Sequence, residues 1–317
     1  MLSFKRKIVI AGAGNVGEAI GYTLMLRKQA SEIVFVDINE ARAQGSALDI
    51  KHGTAFLHED IIRSGGYEEC ADADIIIIAA GVARKPGQTR LDLARINVGI
   101  ARDITKSIMK YAKDPMIVVV SNPVDIMTYT ITKESGLPST QVIGTGTSLD
   151  TARFRCLIGE KCKVSVNDIN AYIIGEHGDS QVSLWSKVNI GGEALDAYLE
   201  HNPDVGELDQ AAIDREVCTS GANIISKKGA TFYGVAMATS KIVDAILEDQ
   251  RTVIPVSHVL GPEAGELAGV SISLPCVINH TGIVRMLDMR MSEEETQKLH
   301  ESVKKLRAFI NDVFPEA

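Results

Sequence analysis

The chain has 317 residues, of which 45% are hydrophobic, and its formal net charge at pH 7 is −8. This length predicts two domains, or one large α/β domain with an elaborated second half. The hydrophobic fraction is ordinary for a globular protein with a substantial core. The negative charge argues against general nucleic-acid binding, because no excess of basic residues offsets repulsion from phosphates.

The sequence carries no signal for a membrane span, and no apolar stretch approaches the roughly 20 residues that one needs. The basic N-terminus MLSFKRK leads straight into a short apolar run, so we expect a first strand there and not a secretion signal. No HExxH motif or Cys/His cluster predicts a metal site. Five scattered cysteines without a CxxC pair predict free thiols, buried or partly buried, in a reducing cytoplasm. They are Cys70, Cys156, Cys162, Cys218 and Cys276.

Apolar runs alternate with helix-compatible segments in the first half of the chain. This alternation predicts an α/β fold, a doubly wound parallel sheet of the Rossmann type with helices on both faces. We expect this domain to span residues 1–147. The predicted strands are residues 7–11, 33–36, 74–79, 116–120 and 141–144. The predicted helices are residues 15–27, 40–52, 91–112 and 124–135.

From about Asp150 the pattern changes to helical segments joined by short β-like runs. We interpret residues 148–317 as a mixed α+β domain that binds the substrate. The predicted helices are residues 151–160, 208–227, 231–248 and 292–314, and the predicted β-like runs include residues 171–174 and 270–274.

A glycine-rich turn, GAGNVG at residues 12–17, lies between the first predicted strand and the first predicted helix. Gly12, Gly14 and Gly17 fit a backbone that turns sharply and approaches a pyrophosphate closely, which leaves no room for a Cβ. The helix N-terminus then directs its free N–H groups at the phosphate. Asp37 ends the second strand, where a carboxylate binds the adenosine ribose about 20 residues after the last glycine. The combination predicts a dinucleotide site, and it favours NAD because Asp37 would repel the 2′-phosphate of NADP.

Three further motifs follow predicted strands, at the edge of the sheet where ligands bind. GVARKPGQTR, residues 81–90, is a basic, turn-rich loop that either closes over a ligand or is merely solvated. SNPVD, residues 121–125, places Asn122 at the same cleft or as a helix cap. GTGTSLDTARFR, residues 144–155, places Asp150 and Arg153 on one face of a helix, a spacing that in isolation favours a surface salt bridge.

A fourth motif, GEHGDSQVSLWS at residues 175–186, places His177 in a glycine-containing turn after an apolar run. A lone histidine is more often structural, but a histidine in such a turn after a buried strand favours catalysis.

Together these motifs resemble the lactate/malate dehydrogenase family over essentially the whole chain, and within it the NAD-dependent L-lactate dehydrogenases. The resemblance implies that His177 donates and accepts the proton, that Asp150 is its carboxylate partner and that Arg153 anchors the substrate carboxylate. It implies that Arg90 polarises the substrate carbonyl from the closing loop. The remaining implied pocket residues are Asn122 and Thr231. The implied cofactor contacts are Gly12, Gly14, Val16, Gly17, Asp37, Arg42, Tyr67, Gly81, Asn122 and Thr145.

This residue set suits the reduction of a small 2-keto acid to a 2-hydroxy acid, which needs a hydride from NADH and a proton on the carbonyl oxygen. Imidazole suits the proton, since its ordinary pKa of about 6.5 allows exchange near neutral pH. A neighbouring carboxylate fixes the tautomer and stabilises imidazolium. Arg153 can bind a carboxylate through two parallel hydrogen bonds, and Arg90 can stabilise negative charge that develops on oxygen.

Arg84 makes the substrate ambiguous. The family resemblance places it at the loop position facing the substrate side chain, where malate dehydrogenases have Arg and lactate dehydrogenases commonly have Gln. The other motifs, including KGATFYG and LPCVINHTGI at residues 274–283, resemble the lactate branch. We therefore expect pyruvate and L-lactate as substrates, with oxaloacetate and L-malate as the alternative.

Two competing functional interpretations are disfavoured by the sequence. YTITK, residues 129–133, fits the YxxxK pattern of short-chain dehydrogenases, but the glycine spacing GxGxxG and the preceding SNPVD argue against that class. A catalytically inert NAD-binding module would not need His177, Asp150, Arg153 and Arg90.

The resemblance also implies a homo-oligomer, with a tetramer favoured and a dimer possible, in the cytoplasm that the cysteine pattern indicates. It raises the question of activation by fructose 1,6-bisphosphate, which many bacterial relatives bind through an Arg and a His. Arg155 matches the first, but Asn170 replaces the second. We expect weak or absent activation.

Overall fold

The computed structural model describes residues 6–82 and 89–314, except the side chain of Arg90. The strands of the first half are β1 (Lys7–Ala11), β2 (Glu32–Val36), β3 (Ile61–Ser64), β4 (Ile75–Ile78), β5 (Met116–Val119) and β6 (Val142–Gly144). The strands of the second half are β7 (Ile169–Asn170), β8 (Ile173–Gly175), β9 (Gln181–Ser183), β10 (Asn189–Ile190), β11 (Glu193–Ala194), β12 (Thr252–Val259), β13 (Ser271–Asn279) and β14 (Gly282–Met286).

The α-helices lie between these strands and after the last of them. They are α1 (Asn15–Leu26), α2 (Glu40–Gly53), α3 (Arg90–Met109), α4 (Val124–Ser135), α5 (Ser148–Cys162), α6 (Leu195–His201), α7 (Gln210–Lys228), α8 (Tyr233–Leu247) and α9 (Glu293–Val313).

The first six strands form a parallel sheet in the order β3-β2-β1-β4-β5-β6. From β1 the chain adds strands toward one edge of the sheet, ending at β3, and from β4 it adds strands toward the other edge, ending at β6. The strand order therefore reverses between the neighbouring strands β1 and β4, which is called the switch point of the sheet. In sheets of this kind ligands bind beyond the carboxyl ends of the strands at this switch point. The turn at residues 12–17 lies there, and the prediction of a Rossmann sheet is confirmed.

Apart from the edge strand β3, the parallel strands are buried on both faces, which explains their Ile- and Val-rich runs. In β1, Val9 belongs to one hydrophobic core, while Ile8 and Ile10 belong to the core on the opposite face. A third core surrounds Phe154 and Ile173 in the second half of the chain. Both faces of the sheet are thus covered by hydrophobic cores. The polar residues that directly follow the strands lie at the edge formed by the carboxyl ends of the strands.

The sheet continues beyond β6 with antiparallel strands in the order β12-β13-β8-β9. Because β8 belongs to this continuous sheet, the turn after it, which carries His177, is attached to the same sheet as the parallel half. A separate three-stranded sheet, β11-β10-β7, lies beside it.

Most predicted elements agree with the structure, and the differences have local causes. β1 and α4 have the predicted bounds. The sequence does not predict the edge strand β3, because its apolar run is interrupted by Arg63, which pairs with Glu32 and Glu69. The β-like run at 171–174 is shifted, as β8 occupies Ile173–Gly175.

All five cysteines are free, but Cys156 and Cys218 are exposed rather than buried. In the part of the chain that the structure describes, no helix combines the length and the apolar character required to cross a membrane.

Candidate active site

The glycine-rich turn after β1 is shaped by contacts that exclude side chains. Gly12 has a φ of +109°, and its N–H donates to the carbonyl of Val36 at 2.8 Å. A Cβ on Gly12 would lie 2.5 Å from the backbone nitrogen of Ala80. A Cβ on Gly17 would lie 1.9 Å from the carbonyl oxygen of Gly12. These contacts place the N-terminus of α1 directly behind the turn, as anion binding at a helix end requires.

A groove of about 500 Å³ runs along the carboxyl ends of β1, β2 and β4. Six of the predicted cofactor contacts line it: Gly12, Gly14, Asp37, Arg42, Tyr67 and Gly81. Four other predicted contacts, Val16, Gly17, Asn122 and Thr145, are not among its lining residues. Gly17 instead packs closely against the carbonyl of Gly12. Thr145 follows β6, and its N–H donates to the carbonyl of Val119 at 2.9 Å.

Asp37 is held by the backbone at the floor of this groove. Its carboxylate accepts hydrogen bonds from the N–H groups of Ala13, at 2.7 Å, and Asn39, at 2.9 Å. Ala13 belongs to the glycine-rich turn, so the acidic residue and the turn are fixed to each other. A carboxylate, a glycine turn and a helix N-terminus at one groove fit the ribose and pyrophosphate of a dinucleotide.

The second predicted cluster forms around His177. Its Nδ1 lies 2.6 Å from Oδ2 of Asp150, and Nη1 of Arg153 donates to Oδ1 of the same carboxylate at 2.9 Å. Since a carboxylate only accepts, Nδ1 carries the shared proton, and Nε2 is the ring nitrogen left for a ligand. About a quarter of the His177 side chain is exposed, whereas Asp150 is buried. The structure thus brings His177 to Asp150 and Arg153, a pair on one face of α5 that precedes it by more than 20 residues.

Two threonines fix α5 to β8 and so bring Asp150 to His177. Thr147 donates its hydroxyl to the carbonyl of Ile173 at 2.5 Å. One turn further along, the hydroxyl of Thr151 accepts the N–H of Ile173 at 2.8 Å. Asp150 lies in the first turn of α5, where the positive end of the helix dipole stabilises its negative charge.

The charges in this cluster support one another. Burial by itself raises the pKa of Asp150, but the charges and hydrogen bonds of His177 and Arg153 outweigh burial and hold this pKa below its usual value. For His177, burial lowers the pKa, and the Asp150 carboxylate more than offsets it, so the pKa lies above 6.5. The Asp150 carboxylate therefore favours the protonated form of the imidazole.

The backbone of the His177 turn is held by side chains that the sequence did not single out. Asp125 of α4 accepts the N–H of His177 at 2.8 Å, and Ser302 of α9 accepts the N–H of Glu176 at 2.9 Å. Asp125 stands in the SNPVD motif, where the sequence predicts a functional role for Asn122 alone. Ser302 lies in an amphipathic C-terminal helix without any motif, so only the structure could identify it.

Helix α7 also borders the cluster, which the sequence gave no reason to expect. Its Gly221 faces Arg153, and a Cβ there would lie 3.9 Å from Nη2. Cys218 lies 3.9 Å from the carbonyl of Gly178, next to His177. The space beside Arg153 is therefore bounded by a residue without a side chain.

The remaining predicted pocket residues are only partly located. Arg84 lies outside the described residues, and Arg90 begins α3 with its side chain outside them. Asn122 is exposed, and its carbonyl accepts from Nδ2 of the buried Asn97 at 2.7 Å. Thr231 is half-buried just before α8. Asn97 also accepts the N–H of Val82 at 2.9 Å, so it ties the start of the loop after β4 to the SNPVD turn.

Two other predicted features have structural partners. The guanidinium of Arg155 donates to the carbonyl of Ala171 at 2.9 Å and lies 5.2 Å from the ring centre of Tyr172. Asn170 is exposed and bonds Asn189 at 3.2 Å. Tyr129 of the YTITK motif packs in a hydrophobic core, with its ring centre 5.5 Å from that of Phe314. This location is unsuited to proton transfer with a ligand.

Among residues 6–82 and 89–314, no cluster of three or more His, Cys, Asp or Glu is arranged to hold a metal ion.

Comparisons with known proteins agree with this geometry. Residues 6–144 match the family model of the lactate/malate dehydrogenase NAD-binding domain, and residues 147–317 match that of the alpha/beta C-terminal domain. The L-lactate dehydrogenase of Lactococcus lactis subsp. cremoris is 39% identical over 309 residues, which are 97% of this chain and 98% of that protein. The L-lactate dehydrogenase of Acetivibrio thermocellus is 42% identical over 306 residues, 96% of each chain.

Solved structures give the same picture. The minor L-lactate dehydrogenase of Enterococcus mundtii in its ligands-bound form superposes with a TM-score of 0.93 at 42% identity, over 97% of this chain and 98% of that chain. A lactate dehydrogenase from a Medee basin deep-sea metagenome library superposes with a TM-score of 0.94 at 35% identity, over 98% and 99% of the two chains.

Proposed function

The chain belongs to the lactate/malate dehydrogenase family, and from that membership we propose that it is an NAD-dependent L-lactate dehydrogenase, which reversibly reduces pyruvate to L-lactate. The observation that carries the proposal is the hydrogen-bonded set His177–Asp150–Arg153, with Nδ1 of His177 2.6 Å from Asp150. This set offers a proton donor and a carboxylate anchor side by side.

The groove beyond β1, β2 and β4 fits the cofactor. Gly12 and Gly14 would hold the pyrophosphate at the N-terminus of α1, and Asp37 would accept hydrogen bonds from the adenosine ribose. No atom lies within 4 Å of a Cβ built on Gly14, so the turn is open on its outer side. When bound, NADH supplies the hydride for the reduction.

His177 would deliver the proton to the carbonyl oxygen from Nε2, because Nδ1 is engaged by Asp150. The Asp150 carboxylate keeps the ring in one tautomer and stabilises its protonated form. Arg153 would bind the substrate carboxylate through two parallel hydrogen bonds. Arg90 at the start of α3 would stabilise negative charge on the carbonyl oxygen, and water exclusion strengthens this effect.

Pyruvate is favoured over oxaloacetate because the relatives and solved structures described above are lactate dehydrogenases. Arg84 is the residue that favours oxaloacetate. The test is kcat/KM for the two keto acids with saturating NADH. We expect pyruvate to be preferred, and a clear preference for oxaloacetate would overturn this assignment. An Arg84→Gln variant sharpens the comparison. It should lower kcat/KM for oxaloacetate by about tenfold or more and leave kcat/KM for pyruvate unchanged.

Several further properties are proposed on the same basis. The division into an NAD-binding domain, residues 1–147, and a substrate domain, residues 148–317, is supported by the two family models. We also propose a cytoplasmic homo-oligomer, with a tetramer favoured over a dimer. Activation by fructose 1,6-bisphosphate should be weak or absent, since Asn170 offers no imidazole for a phosphate and Arg155 is engaged by Ala171 and Tyr172.

A further inference from the structure

A buried carboxylate lies directly behind the backbone of His177. Asp125, in the first turn of α4, is only 3% exposed. Its Oδ2 accepts the N–H of His177 at 2.8 Å, and its Oδ1 accepts the hydroxyl of Ser257 in β12 at 2.6 Å. The Ser257 hydroxyl in turn lies 2.9 Å from that of Ser271 in β13, and both serines are fully buried. Both oxygens of Asp125 are therefore fixed.

Two successive N–H groups of the His177 turn are held from different helices. Asp125 holds that of His177 from α4, and Ser302 holds that of Glu176 from α9. Ser302 accepts the N–H of Glu176 with a neutral hydroxyl. A neutral side chain can accept an amide N–H as well, so the negative charge of Asp125 is not required by the hydrogen bond.

Burial makes the negative charge of Asp125 energetically unfavourable. Burial raises the pKa of Asp125 to about 6, and the hydrogen bonds from Ser257 and from the N–H of His177 offset burial only in part. The charged groups that act on Asp125 are the imidazole of His177, which favours its ionised form, and Glu176, which opposes it. Near neutral pH the carboxylate is therefore mostly ionised despite its burial.

The same charge acts on the imidazole. Burial lowers the pKa of His177, the Asp150 carboxylate raises it, Asp125 raises it further, and Arg153 opposes both carboxylates. His177 thus contacts two buried carboxylates that belong to different helices. Asp150 contacts its ring directly, while Asp125 contacts its backbone.

We propose that Asp125 is a positioning residue for His177, whose carboxylate fixes the turn through the backbone N–H and whose negative charge, together with that of Asp150, keeps the imidazole protonated. The proposal rests on the proposed function, in which His177 is the proton donor. Asp125, the last residue of SNPVD, would thus contribute to the proton transfer although it contacts only the backbone of His177.

The decisive experiment measures protonation of His177 without any substrate. Diethyl pyrocarbonate modifies neutral imidazole, and peptide mass spectrometry of the full-length, ligand-free protein can follow the extent of modification at His177 as a function of pH. We expect the midpoint of this curve to move to lower pH in Asp125→Asn, because one negative charge near the ring is removed. An unchanged midpoint would overturn the proposal.

Glu295→Gln is the matched control for this measurement. It makes the same carboxylate-to-amide change at a buried residue, one that caps α9 and bonds the backbone and hydroxyl of Ser186. Its midpoint at His177 should equal that of the wild type. An equal shift in both variants would show a general loss of structure and would also overturn the proposal.

Turnover and stability separate positioning from a merely structural role. At pH 8, kcat for pyruvate should fall about tenfold in Asp125→Asn, and further in Asp125→Ala, which also loses the hydrogen bond. The Kd for NADH should stay unchanged, and the urea midpoint of the Asn variant at pH 8 should equal or exceed that of the wild type. Turnover loss that only parallels a lower urea midpoint would contradict the proposal. Full turnover in His177→Asn would instead refute the proposed function, whereas the modification curve would still decide the effect of Asp125.

Discussion

The two halves of the candidate site are built in different ways. The groove proposed for the cofactor depends on the main chain: Gly12 and Gly17 allow backbone contacts that a Cβ would block, and Asp37 accepts the N–H of Ala13. Its essential turn is six residues long. The His177 cluster depends on side chains, and it draws them from α4, α5 and α9 around the turn after β8.

This difference predicts how each half responds to substitution. A change in the glycine turn alters backbone packing, so it should affect folding or cofactor binding. A change in the His177 cluster alters a charge or a proton position, so it should affect turnover while the fold is retained.

The largest effect is expected for His177→Asn. Asn cannot donate a proton as imidazolium does, so kcat should fall by about 10²–10⁴-fold. Binding of NADH, measured by fluorescence titration, should be retained because the groove does not include His177. His201→Asn provides the control, since His201 is exposed and pairs with Glu193. Turnover close to that of the wild type would remove His177 from the mechanism.

The second comparison uses two glycines of the same turn. Gly17→Ala should lower the free energy of unfolding by about 2–3 kcal/mol, because its Cβ would meet the carbonyl of Gly12 at 1.9 Å. Gly14→Ala meets no atom within 4 Å, so its stability should stay near that of the wild type, while NADH binding weakens. Urea unfolding and NADH titration measure the two effects. Equal stability losses would refute this division of roles.

The smallest effect is expected for Asp37→Ser. Loss of the carboxylate should weaken NADH binding by about tenfold and narrow the preference over NADPH, since repulsion of the 2′-phosphate disappears. The Kd values of both cofactors check this. Part of the lost affinity will arise because the N–H of Ala13 loses its hydrogen bond to Asp37, which is 2.7 Å long. Unchanged affinities for both cofactors would reject the role of Asp37.

Local sequence patterns determined much of the fold. Continuous apolar runs marked β1, β2, β4, β5 and β6, since strands covered on both faces need apolar residues at every position. The glycine turn and Asp37 were recognisable because their spacing is set within one strand–helix–strand unit. Where that condition fails, prediction failed: β3 is a short edge strand with a charged residue, and its place was visible only in the sheet.

The sequence by itself predicts that GAGNVG is a cofactor-binding turn, and family resemblance groups Asp150, Arg153 and His177 as catalytic candidates. Only the tertiary structure decided that Asp125 and Ser302 hold the same turn. The physical reason is that backbone conformation is specified by neighbouring residues, whereas the environment of a buried charge is specified by elements that meet only after folding. Thr147 and Thr151 illustrate this, because their bonds to Ile173 bring Asp150 to a histidine 27 residues away.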